Sequence, residues 1–104
     1  MSNSDYKELT IEQLENILIS AVVKKIQFSM PELIVTVNTM LKADAEIDVF
    51  DFGDILIHLF NKTDWMIHYE LIIDWFTKNE TSIADLAENI LYVKSNYNKK
   101  IDEV

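Results

Sequence analysis

Residues 44–54 read Asp-Ala-Glu-Ile-Asp-Val-Phe-Asp-Phe-Gly-Asp, with five carboxylates and the only glycine of the 104-residue chain. The stretch has the grammar of a helix start. Ile47-Asp48-Val49-Phe50-Asp51-Phe52 puts an aspartate at the N-cap and a second acid three residues on, where it can reach back to the cap. Ile47 and Phe52 are spaced to clasp that first turn as a hydrophobic staple. Acids gathered at a helix start are also favoured by its positive end. Asp44 to Glu46 then form an acidic linker, and Gly53 falls within the first turns, where close helix packing is its expected use.

The same grammar recurs on either side. Leu9-Thr10-Ile11-Glu12-Gln13-Leu14 offers Thr10 as cap, Gln13 as its reciprocal partner and Leu9 with Leu14 as staple. Phe28-Ser29-Met30-Pro31-Glu32-Leu33 repeats the pattern, with Pro31 in a first turn where its missing N–H costs nothing. Ser82-Ile83-Ala84-Asp85-Leu86 is a third copy with a weaker staple, because Thr81 precedes it. These starts and the apolar spacing predict an all-α fold. It is a compact bundle of about five mostly antiparallel helices over 11–27, 30–43, 49–61, 64–78 and 83–99. Residues 1–9 are expected as a flexible N-terminus and 10–104 as a single helical domain. Ile11, Leu14, Leu18, Ala21, Val22 and Ile26 line one face of the first helix, and Ile83, Leu86, Ile90, Val93 and Tyr97 one face of the last. In the second helix the apolar set is Leu33, Ile34, Val37, Met40 and Leu41, although Ile34-Val35-Thr36-Val37 is a strand-like passage.

The middle of the chain is the most apolar. In 49–61 a thin polar stripe of Asp51, Asp54, His58 and Asn61 interrupts hydrophobic residues. In 64–78, "WMIHYELIIDWF" is apolar nearly all round, which marks a helix central to a bundle or covered by a partner. Trp65, Tyr69, Ile72 and Phe76 recur at helical period, and core packing is the plain account of that stripe. Helices 3 and 4 are both too apolar for one small domain to bury fully. Trp65, Tyr69, Trp75 and Phe76 are therefore the expected anchors of an interface, with another protein or with a second copy as a homodimer.

Other chemistries find less support. An EF-hand needs oxygen ligands at its first, third and fifth positions, a glycine at the sixth and an acid at the twelfth. Counting from Asp44 puts Val49 and Ile55 at the last two. Counting from Asp48 places Gly53 correctly but puts Phe50 and Phe52 where ligands belong. Asp51-Phe52-Gly53 has the letters of the magnesium-binding tripeptide of protein kinases but none of the glycine and lysine motifs that work with it. A metal set remains as an alternative. Asp54 and His58 are four apart, as are Asp64 and His68, and a hairpin about Asn61-Lys62-Thr63 would let the two pairs face each other. Asp–His hydrogen bonds on polar stripes are the simpler account, and no cofactor is expected. With no cysteine, no glycine-flanked serine and no phosphate-cradling loop, the chain reads as a non-enzyme.

Bulk composition points the same way. Hydrophobic residues are 49% of the chain, enough for a core. The net charge is −9, with 18 acids against nine basic residues, all lysine. Excess negative charge without the planar fork of arginine argues against direct nucleic-acid binding, and no apolar run is long enough to span a membrane. With no leader-like N-terminus, a cytoplasmic protein is expected. Plentiful Ile, Asn and Lys without Arg suggest an AT-rich coding sequence, as in a phage or mobile element. The expectation is a non-catalytic protein–protein interaction module, such as an adaptor, assembly chaperone or inhibitor, whose partner has a basic or apolar surface. An acidic nucleic-acid mimic that blocks a DNA-binding protein is the other alternative.

Overall fold

The structure, a computed structural model, describes residues 9–65 and 67–103, with side chains as far as residue 96. The expected flexible N-terminus lies outside the described residues except for Leu9, as does the Tyr97 side chain. The described chain is all-α and compact, with four helices: α1 (Ile11–Ile26), α2 (Val49–Thr63), α3 (Tyr69–Lys78) and α4 (Ile83–Glu103). Each helix packs against two others, α1 on α2 and α4, and α3 on α2 and α4.

Three of the helix starts are set by their caps. The Gln13 N–H donates to Thr10 Oγ1 at 3.1 Å, and the Thr10 N–H donates back to Gln13 Oε1 at 2.9 Å. At α2 the Asp51 N–H donates to Asp48 Oδ1 at 2.8 Å and the Asp48 N–H to Asp51 Oδ2 at 3.4 Å. At α4 the Asp85 N–H donates to Ser82 Oγ at 3.1 Å and the Ser82 N–H to Asp85 Oδ2 at 3.4 Å. Each reciprocal pair satisfies donors that a helix start leaves without intrahelical partners. Ile47 and Phe52, the staple pair of α2, are both buried. Loss of a cap such as Asp48→Ala is expected to cost about 1 kcal/mol in urea unfolding.

The expected helix over 30–43 does not form. Ser29 does not cap it: its hydroxyl donates to the Ile26 carbonyl at the end of α1, at 3.4 Å. Phe28, the expected staple, is 90% exposed. From Leu33 to Thr36 the residues alternate between partly covered and exposed, the period of extended backbone, before a turn in which the Thr39 N–H donates to the Thr36 carbonyl at 3.1 Å. The strand-like run dominates here, and its partners come from another part of the chain. The Ile83 N–H donates to the Thr39 carbonyl (3.3 Å) and the Ala84 N–H to the Val37 carbonyl (2.9 Å). The Leu41 N–H donates to the Thr81 carbonyl (2.8 Å), and Met40 and Ser82 form an isolated antiparallel bridge. An α-helix over 30–43 would keep those carbonyls for its own bonds and leave two first-turn donors of α4 without them.

The fourth expected helix is shortened from 64–78 to α3. Asp64 does not open it. It closes α2 in a left-handed conformation (φ 59°), its N–H donating to the Phe60 carbonyl at 2.7 Å. Aspartate tolerates that conformation better than most residues. Thr63 seals the end by donating to the Leu59 carbonyl and accepting from the Trp65 N–H. Between α2 and α3 the Phe52 and Phe76 rings stack with centroids 4.0 Å apart and planes 6° from parallel. Lys42, in the turn over 41–45, lies over the Phe76 ring at 4.8 Å and closes the far side of that pair.

Lys25 ties α1 to α2. Its ammonium lies 2.6 Å from Asp54 Oδ2 and 3.5 Å from Asp51 Oδ1. The hydrogen bond to Asp54, with the charges of both acids, outweighs partial desolvation and holds Lys25 above the ordinary lysine pKa. A pKa raised on folding contributes stability that is fully present below the unfolded value, about 10.4, and is lost as pH rises through the folded value. The stability difference between the native chain and Lys25→Met is therefore expected to stay constant from neutral to mildly alkaline pH. It should shrink once pH passes the ordinary lysine value, as read by chemical unfolding across that range.

Candidate interaction groove

The outward side of α2 is apolar where a surface helix is ordinarily polar. Phe50 is 80% exposed and Ile57 58% exposed, and both lie on one stripe with Gly53 and Phe60 at spacings of three and four. Beside them α3 presents Tyr69, 50% exposed, and the half-buried Ile73. Gly53, Leu56, Ile57, Phe60, Tyr69 and Ile73 line an open groove of about 310 Å³ between the two helices. Its α2 wall runs from residue 53 to 60, about 10 Å along the helix axis.

Gly53 has no conformational or packing reason to be glycine. Its φ is not positive, and a Cβ built on it would meet nothing within 4 Å. The expectation of close helix packing at this position is therefore not met. A glycine inside a helix costs about 1 kcal/mol relative to alanine, and here the cost leaves an apolar wall open.

The four aromatic anchors anticipated from sequence do not share a surface. Phe76 and Trp65 are core residues, 2% and 7% exposed. Trp65 sits in the α2–α3 connection rather than on a helix, with Lys94 of α4 over its ring at 4.8 Å. Trp75 is half-buried and projects from α3 roughly 160° away from Ile73. Only Tyr69 of the four lines the groove. Gly53, Ile57, Phe60 and Ile73 were missed as site residues. Their signal was present in the sequence as an α2 with too few polar positions to cover its outward side.

The two Asp–His pairs also separate. Asp54 bonds Lys25, and His58 lines a cavity against α1 with Lys24, Lys25 and Asp54, its Nε2 buried without a hydrogen-bond partner. Asp64 ends α2, while His68 precedes the first turn of α3, so the second pair does not share a helix face. Among the described residues no three His, Cys, Asp or Glu side chains come together in a group that could hold a metal ion. No described helix is long and apolar enough to cross a membrane. No protein-family model, curated protein or solved structure matches the chain.

Proposed function

We propose that the chain is a non-catalytic protein–protein interaction module that receives an apolar segment of a basic partner in the α2–α3 groove. The observation that carries this reading is the open apolar groove itself, with Ile57 and Tyr69 exposed on its two walls. Isolated exposed hydrophobic residues are ordinary, but a contiguous apolar concavity is a recognition feature. The net charge of −9 supports a basic partner: it opposes self-association and steers cations toward the surface. An adaptor, an assembly chaperone and an inhibitor all fit this chemistry.

The test is a comparison of two exposed isoleucines, one in the groove and one outside it. Ile57→Lys places a charge in the groove, and Ile34→Lys places one on the extended segment, where Ile34 is 82% exposed. Both variants are expected to fold with stabilities within about 0.5 kcal/mol of the native chain. Partner capture from the native host should fall at least about tenfold for Ile57→Lys, a loss of about 1.4 kcal/mol in affinity, and hold for Ile34→Lys. Capture that ignores Ile57→Lys and disappears in high salt would replace this reading with the acidic nucleic-acid mimic.

A further inference from the structure

We infer that Gly53 is the specificity position of the groove, its missing side chain being the space filled by a bulky apolar side chain from a cationic amphipathic helix. The inference rests on the groove reading above and names its occupant. Three uses commonly explain a glycine inside a helix: a positive φ, a close neighbour, or room for something not part of the chain. The first two are absent at Gly53, as its φ is not positive and no heavy atom of its surroundings lies within 4 Å of an added Cβ. The third fits, because the space above Gly53 is the groove.

The shape of the groove selects a helix. Its α2 wall offers residues 53, 56, 57 and 60, two turns of contact, which suits apolar anchors repeating every three or four residues. Charge selects a cationic one. Glu70, exposed, is one turn from Ile73 at the edge of the groove, whereas Asp54 is turned toward Lys25 of α1. No lysine lines the groove. A second copy of this chain would bring another −9 to the same surface.

The probe is a set of synthetic amphipathic peptides of leucine and lysine that differ only in one central anchor, Ala, Leu or Trp, with binding read by fluorescence anisotropy at fixed low salt. The native chain is expected to prefer the Leu and Trp anchors over Ala by at least about tenfold. Gly53→Leu fills the space and should erase that preference. Gly53→Ala should reduce it while raising Tm by a few degrees, roughly 2–8 °C, so that weaker binding cannot come from unfolding. If the preference survives Gly53→Leu while Ile57→Lys weakens every peptide, the role of Gly53 is overturned and the groove stands. If Ile57→Lys changes no peptide's affinity, the groove reading falls as well. A dimer in sedimentation that Gly53→Leu dissociates would overturn the cationic helix in favour of a second copy.

Discussion

Replacing Phe76 with alanine is expected to destabilise the protein by about 3–5 kcal/mol, the largest effect of any single change considered. Phe76 is 2% exposed and stacks on Phe52, itself fully buried, so its removal leaves a cavity that α2 and α3 cannot both close. The stack joins the two helices beneath the groove and carries Lys42 on its other side. For a chain of this length total stability is on the order of 5–15 kcal/mol, so the variant should lose a large part of its folding free energy. The measurement is urea unfolding at neutral pH. Phe52→Ala should lose a similar amount, and the double variant less than the sum, because the two rings stack directly on each other. A loss below about 1 kcal/mol for Phe76→Ala would mean that the ring pair does not join α2 to α3.

The second large effect separates two architectures of the chain between α1 and α2. On a helix over 30–43, Ile34 and Leu41 are seven residues apart and share a face, so truncating either would cost a comparable amount. In the structure Leu41 is fully buried and Ile34 is 82% exposed. Leu41→Ala is therefore expected to cost about 2–5 kcal/mol, and Ile34→Ala no more than about 0.5 kcal/mol. The Leu41 backbone adds to the contrast. Its N–H reaches the Thr81 carbonyl and its carbonyl accepts the Ile47 N–H, so the residue anchors the segment to the start of α4 and leads into α2. Comparable losses for the two variants would restore the helix.

Three local signals closed within four residues were legible. The caps at Thr10, Asp48 and Ser82 each need only the backbone and one side chain three residues on, and all three form. The buried face of α1 follows its apolar period from Leu14 on, with Leu14, Leu18, Ala21, Val22 and Ile26 in the core, whereas Ile11, expected on that face, is 39% exposed in the first turn. Ser29 carries the same local pattern and takes another partner, because a hydroxyl just beyond a helix end can serve the carbonyls behind it as well as the N–H groups ahead. Asp64 was ambiguous for a related reason. The residue types that start helices also tolerate the left-handed turn that ends them.

The site was less legible than the fold. Aromatic residues drew attention in the sequence, yet large rings are also what a small core recruits first, and Trp65 and Phe76 are buried. Spacing within a segment ranks residues around one helix. It does not say which sector a neighbouring helix covers. With Phe52 stacked on Phe76 between the two helices, Ile57, Phe60 and Gly53 line the open groove beside α3.

Sequence alone determined the all-α class, three of the helix starts and the core face of α1, since hydrogen bonds and apolar period within a few residues are sufficient for each. It also determined the acidic charge and the excess of apolar surface in the middle of the chain. Tertiary structure decided what Asp44 to Asp54 leads from and what it exposes. The segment before it, extended over 33–36 and then largely in turns, is held out of a helix by hydrogen bonds to residues 81–84, more than thirty positions away. Gly53 opens onto a groove because α3 packs beside that wall without filling it. Both outcomes depend on partners distant in the chain, which no local pattern encodes.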